Sequence, residues 1–561
     1  MNLLETLMEN VGQSKVPQYA KKSVGFRAIV TRSSDFIRIE GLPRRKWNIE
    51  PQISTIRKVL TDELKTDSGT LELWKIQAAA LYDIIHHDGA FLPIGVGRGK
   101  AFISLLAPVV LEAERPILFV PAQLRDQTNK QVLPLMKANW KLNPKLRIVG
   151  YSELSLEKNS KMLEEYQPDL IVLDECHRVK NKKAGRTRRL VRWFNKHPET
   201  KCVAMSGTIS KRSIKDFAHI IEWCLQDRAP IPKNWVELSE WADAIDEKVP
   251  PEKRVGPGAL RRLCKNGENV RQGFQRRLTE TPGVVASKEN ELGVALNLHR
   301  TDGPDIPDVV YSELLKMRTN WETPNGDLIT EAVDLWRHMR ELALGFWSMW
   351  DPPAPADWLI ARREWKSLVR DVLKTNRRGL DTELQVWNDF RRKAPDDPVW
   401  AEWNEIKDTF KPNSVPVWLD PFAIKFCSKW LKKPGICWTE HVPFALKLAE
   451  YSGVPYFGAG DSRISECTEP SIIASRPAHG EGKNLQAYSR NLVVAPLSSG
   501  ERWEQMLGRT HRAGQTADEV TCEIFLHIDE LMSSFDQARS DARYLEDTYG
   551  NRQKLNYATI S

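Results

Sequence analysis

The 561-residue chain carries 82 Lys and Arg against 74 Asp and Glu, for a net charge of +8, and 41% of it is hydrophobic. It is too long for one ordinary domain, and its small basic excess permits a polyanionic partner without requiring one. No apolar run approaches the roughly 18 residues of a membrane span. Glu5 and Glu9 interrupt the first apolar stretch, so it does not read as a secretory signal. The eight cysteines show no C-x-x-C pair, which argues against zinc and disulfide frameworks and fits a reducing cytoplasm.

Residues 1–65 read as an accessory segment, with short β-like runs ("FRAIV", "FIRIE") and one helical pattern, "ISTIRKVLTDEL". From 66 to 290 the texture alternates apolar strands with helices. "PILFVPA", "LRIVGYS", "PDLIVLDE" and "KCVAMSGT" each close on small or polar residues. Such runs predict a buried parallel sheet with its functional groups at the strands' C-terminal ends. Residues 291–415 read as a helical, tryptophan-rich insertion that includes Trp336, Trp347, Trp350, Trp358, Trp365 and Trp387. The Trp347–Trp350 spacing suits a buried helical stripe better than a base-stacking platform. Strand-and-helix texture resumes over 416–535 ("GICWTE", "SIIASRP", "NLVVAPL"), leaving 536–561 as a C-terminal tail.

The first chemical candidate is the stretch "AFLPIGVGRGKAFISLLAP". Gly95, Gly97 and Gly99, with Arg98 among them, would let backbone N–H groups approach phosphate oxygens, and Lys100 would supply a point charge at the start of a helix. The stretch departs twice from G-x-x-x-x-G-K-[ST]: Ile94 stands in place of the first glycine, and Ala101 in place of the hydroxyl that ligates magnesium. Taken alone it reads equally well as a tight structural turn. The second candidate, "PDLIVLDECHRVKN", puts Asp174 and Glu175 at a strand end, where one carboxylate can hold a metal and the other can deprotonate water.

With "MSGT" (Ser206, Gly207, Thr208) downstream, these boxes resemble motifs II and III of superfamily 2 helicases with a DECH box, and "DECHRVKN" is closest to the Snf2-like branch of DNA translocases. The likeness extends along the chain. Gln77 in "LWKIQAAAL" stands where the family reads adenine. "FVPAQL" and Tyr151–Ser152 resemble motifs Ia and Ib, and "GICWTEH" motif IV. "HGEGKNLQAYSRNLVVAPL" resembles motif V, with Gly482, Asn484 and Leu485. "EQMLGRTHRAGQ" resembles motif VI, with Gln505, Gly508, Arg509, Arg512, Gly514 and Gln515. The stretch "LALGFWSMWDPPAPADWLIARREW" is also similar to segments of helicases encoded by bacteriophages.

The resemblance implies an α/β fold of two tandem RecA-like (P-loop NTPase) lobes and a DNA helicase or translocase that hydrolyses ATP with Mg2+. Asp174 would hold the metal directly or through water, and Glu175 would activate the attacking water. Arg509 and Arg512 would approach the phosphates from the second lobe. His177, Ser206, Thr208, Gly482 and Asn484 would couple hydrolysis to movement. DNA would be held by its phosphate backbone without sequence preference; RNA is the second choice, and no membrane is implied. A phage role would place the chain in the host cytoplasm, beside replication or recombination proteins. Two alternatives remain open: a duplex-remodelling or branch-migrating motor that does not separate strands, and, because of Ala101, an ATP- and nucleic-acid-binding protein with little turnover. Arg186, Arg188, Arg189 and Arg192 form either a basic stripe or a solvated face. For Arg261, Arg262, Arg271, Arg276 and Arg277 a functional role is favoured.

Overall fold

The computed structural model describes residues 28–45, 52–95, 97–207, 213–246, 249–286, 294–301, 303–326, 329, 331–375, 380, 382–512 and 514–561. In the first lobe, strands β1 (Gly89–Leu92), β2 (Pro116–Val120), β3 (Arg147–Gly150), β4 (Leu170–Asp174) and β5 (Lys201–Met205) form one parallel sheet in the order β1-β5-β4-β2-β3. Every residue of β2 and β4 is buried, because helices cover both faces of the sheet. Alternate residues feed two separate cores: Phe119, Ile171 and Leu173 enter one, Leu118, Val120 and Val172 the other. Helices α1 (Lys75–His87) and α2 (Lys100–Val110) flank β1, and α3 (Gly185–Lys196) and α4 (Val270–Thr279) follow.

The second lobe is also a parallel sheet. Its strands are β6 (Ala295–Thr301), β9 (Gly435–Thr439), β10 (Tyr456–Phe457), β11 (Ser471–Ser475), β12 (Arg490–Val493), β13 (Glu519–Phe525) and β14 (Thr559–Ile560), in the order β10-β11-β9-β12-β13-β6-β14. The molecule is therefore α/β with two lobes. The second lobe begins earlier than the texture suggests. β6 pairs along its whole length with β13 and buries Leu296 and Leu298, so the insertion lies inside the second lobe rather than between the two. Among the described residues no helix is long and apolar enough to cross a membrane.

The insertion is not wholly helical. Phe346–Trp350 is a strand, β7, paired antiparallel with β8 (Ser414–Trp418), so Trp347 and Trp350 are not a helical stripe. Gly345, with φ +86°, lies in the turn between the helix Ala332–Leu342 and β7. A Cβ there would sit 2.0 Å from the Asp420 carbonyl oxygen, and the aromatic run after it favours a strand. Helices α5 (Ala356–Thr375), α6 (Glu383–Lys393) and α7 (Pro398–Ile406) then bury Trp365, Val369, Val386, Phe390 and Trp400 in a small core of their own. Trp347 and Trp358 are buried, whereas Trp336 is exposed.

Both basic runs are mostly structural. Arg188 donates to the carbonyls of Leu373 and Leu380, and Arg189 to that of Leu156. Arg277 is fully buried and donates to the carbonyls of Leu42 and Pro43, while Arg276 pairs with Glu268 and Arg262 with Glu40. Burial lowers the guanidinium pKa of Arg277 to about 10, a cost offset by the carbonyl bonds.

Residues 536–561 are packed against both lobes. Along α8 (Gly500–Thr510) and α9 (Asp529–Tyr549), Gly500 lies so close to α9 that a Cβ would be 2.7 Å from the Ala538 carbonyl oxygen. Farther along α9, Leu545 and Tyr549 enter the first lobe's core, where the Tyr549 ring lies 4.9 Å from that of Phe217. Tyr544 donates to Asp246 at 2.9 Å, and Asn551 to the Pro93 carbonyl at 2.7 Å, before β14 rejoins the second sheet beside β6. One helix thus packs on both lobes.

Candidate active site

The loop after β1 turns into α2 through Gly97 at φ +83° and Gly99 at φ +71°, a region that side chains rarely adopt. Gly99 is also needed for space, since a Cβ there would lie 2.1 Å from Gln77 Nε2. Gln77 is buried behind the loop. Its Oε1 accepts the Trp74 N–H at 2.8 Å and its Nε2 lies 3.5 Å from the Gly99 carbonyl. Lys100 is buried, donates to the carbonyls of Ile94 and Gly95 at 3.2 Å each, and lies 3.5 Å from Glu175. Ala101 follows in the first turn of α2. Ser104, one turn on, donates its hydroxyl to the Ala101 carbonyl at 3.0 Å, is buried and does not line the cleft, so it does not stand in for the missing hydroxyl.

β4 delivers Asp174 to its C-terminal end, and the chain turns there with Glu175 at φ +53°, a strained conformation for a residue with a side chain. Burial and the neighbouring Glu175 charge raise the Asp174 pKa to about 7. Its Oδ1 is buried and finds no hydrogen-bond partner among the described residues. Burial opposes the Glu175 charge, but Lys100, His177 and Ser206 outweigh it and hold that carboxylate well below the usual range. Glu175 Oε2 accepts from Ser206 Oγ at 2.8 Å, and His177 Nδ1 lies 3.0 Å from the same hydroxyl. Thr208 lies outside the described residues.

The opposite wall belongs to the second lobe. Arg509 donates to the backbone carbonyls of Gln505 and Lys483, and burial, helped by nearby Arg512, lowers its guanidinium to about 10, still charged at neutral pH. Arg512 is oriented by a hydrogen bond to Asn484 Oδ1, next to Gly482 at φ +79°. Lys100, Ala101, Asp174, Glu175, Arg509 and Arg512 line one cleft of about 290 Å³. Gly97, Gly99, Gly482 and Gln505 line it as well, and the buried Gln505 Oε1 has no partner among the described residues. Gly95 and Arg98 belong to the loop without lining the cleft.

Three residues of this region escaped the sequence reading. Trp74, 47% exposed, lines the cleft just before Gln77. Glu481 pairs with Arg178, and Glu501 with Lys180 at 2.6 Å, both across the lobes. The signal available was charge: a basic run after Asp174 and Glu175, and isolated acids beside Gly482 and one turn before Gln505. Among the described residues no group of three or more His, Cys, Asp and Glu is arranged to hold a metal. A cation would here depend on Asp174 and on phosphate oxygens, a set that suits magnesium. The orphaned Asp174 oxygen fits that use.

No protein-family model and no curated protein matches the sequence. Among solved structures, the fold is similar to S. cerevisiae Dbp5 bound to RNA and ADP BeF3, at a TM-score of 0.41 and 11% identity over 92% of this chain and 94% of that one. A substituted form of the same protein, also bound to RNA and ADP BeF3, gives a TM-score of 0.39 at 11% identity and the same coverage.

Proposed function

We propose that this chain is an ATP-driven motor that moves along DNA, hydrolysing ATP in the cleft between its lobes. One observation carries the reading: an amine and two carboxylates on one wall face two guanidinium groups on the other. Glu175, ionised and aimed by Ser206, accepts a proton from the water that attacks the γ-phosphorus. The bond from that phosphorus to the bridging oxygen breaks, and the charge on the departing diphosphate meets Lys100. Arg512 and Arg509 stabilise the equatorial oxygens of the transferring group, so turnover requires the lobes to be closed. Asp174 would hold the magnesium ion, which when bound neutralises charge between the β and γ phosphates. Opening and closing would move the two lobes' nucleic-acid surfaces relative to each other. Contacts to phosphate alone would make the grip indifferent to sequence and sensitive to salt.

The reading is tested by phosphate release with no polymer, single-stranded DNA, duplex, forked DNA and RNA, with Glu175→Gln as the inactive control. Stimulation by DNA above RNA is expected, and a strand-displacement assay on the fork separates unwinding from travel without unwinding. Ala101 favours one second reading, a protein that binds ATP and nucleic acid with little turnover; polymer-independent, near-background release would establish it.

A further inference from the structure

We infer that Glu501 is a positioning residue of this site, linking the orientation of Glu175 in the first lobe to the docking of the second. The inference rests on the hydrolytic reading above and names the contact that couples the lobes.

Glu501 stands in the first turn of α8, 5% exposed. A carboxylate there could turn back to the unpaired N–H groups of its own helix. Instead it reaches across the cleft. Its Oε1 lies 3.2 Å from His177 Nε2, and its Oε2 lies 2.6 Å from Lys180 Nζ. His177, itself 6% exposed, presents its other nitrogen to Ser206 Oγ at 3.0 Å and to Glu175 Oε2 at 3.3 Å. The imidazole is thus held from both sides, and Ser206 closes the path to the catalytic carboxylate at 2.8 Å. One step along, Arg178 reaches Glu481 of the second lobe, so His177, Arg178 and Lys180 all end on acids across the cleft.

Exposed ion pairs of this kind contribute little, but a buried one that loses a partner leaves an uncompensated charge. Withdrawing the second lobe therefore strips the His177 ring of its Nε2 partner and frees it to rotate. Ser206 then loses a fixed neighbour, and Glu175 loses part of what aims it. Closure would do two things at once: bring Arg509 and Arg512 to the phosphates and complete the hydrogen-bond chain behind the base.

The test is a double-mutant cycle on polymer-stimulated ATP turnover in the full chain, using Glu501→Ala, His177→Ala, both together, Glu501→Gln and Lys180→Met. Glu501→Ala is expected to lower kcat about tenfold while the KM for ATP stays within about threefold, because the interaction acts after substrate is bound. In the His177→Ala background the same change should cost less than about twofold, the signature of two residues acting in series. Glu501→Gln, which keeps an acceptor toward Nε2, should recover part of kcat, and Lys180→Met should cost less than Glu501→Ala. If Glu501→Ala does not fold, Glu501→Gln carries the cycle. Additive effects overturn the inference, as does a Lys180→Met defect equal to that of Glu501→Ala, which would make the contact a plain strut. A wild-type chain without turnover overturns the hydrolytic reading and this one with it; turnover with an additive cycle overturns this one alone.

Discussion

Arg188 of the first lobe donates a hydrogen bond of 2.6 Å to the carbonyl of Leu373, near the C-terminal end of α5 in the insertion. A second bond from the same guanidinium reaches the Leu380 carbonyl at 3.1 Å. The fork is therefore consumed in holding the insertion against the first lobe. Arg188→Ala should leave the salt slope of nucleic-acid binding unchanged while making the C-terminal end of α5, at Leu373, more susceptible to limited proteolysis. A slope lowered by about one charge would return this arginine to the nucleic-acid surface.

Among the described residues Arg512 makes its side-chain bond to Asn484 and to no backbone carbonyl, whereas Arg509 is pinned to two. Arg512→Ala should therefore keep nucleotide binding within a few-fold and lower kcat by about 10³, the range for a charge supplied across a cleft. Single-turnover hydrolysis against fluorescent-nucleotide titration separates the two effects.

Ala101 sits on the cleft wall, and on the proposed reading a hydroxyl there would add a magnesium ligand that Ser104, buried away from the cleft, does not supply. Ala101→Thr should lower the magnesium concentration giving half-maximal turnover. An unchanged magnesium profile would show that water serves this ligand position equally well.

Trp74 presents an exposed aromatic face to the cleft beside the glutamine behind the glycine loop. If the base stacks there, Trp74→Ala should raise the KM for ATP about tenfold, as expected from losing one aromatic–base stack of about 1–3 kcal/mol, with kcat little changed. Competition by triphosphate without a base would be unaffected.

Glu440 bears on stability. Burial pushes its carboxyl up, but Arg476 and Arg340 outweigh that and hold it near pH 2. Because the folded value lies below the ordinary 4.5, the stabilisation is complete above that pH and is lost as pH falls from 4.5 toward 2. Glu440→Gln should destabilise the chain by about 3 kcal/mol at pH 7, since buried Arg476 and half-buried Arg340 lose their carboxylate partner, and the gap from wild type should close on acidification. Urea unfolding at pH 7, 4 and 3 measures it.

What could be read in advance follows from range. The run "LIVLD" is legible because a parallel strand covered on both faces is apolar throughout, and its end at Asp174 marks the site. Gly97 and Gly99 are legible because a turn into a helix N-terminus needs their conformations. Trp347 and Trp350 misled because an i, i+3 aromatic pair fits a helix, whereas the pairing of β7 with β8 joins residues far apart in the sequence. β6 was absorbed into the insertion because its partner, β13, comes more than two hundred residues later. Arg188, Arg277 and Glu501 all find partners in remote segments, and a local charge pattern does not reveal a distant carbonyl or imidazole.

The reach of α9 into both lobes bears on how the molecule is made. Leu545 and Tyr549 fill a place in the core of the lobe that is synthesised first. During translation the interior of that lobe stays incomplete until α9, far downstream of its sheet, has left the ribosome. Early collapse can shape its sheet, but the final closing of its interior belongs to residues distant from that sheet in sequence, so the nascent chain is an aggregation risk until they emerge.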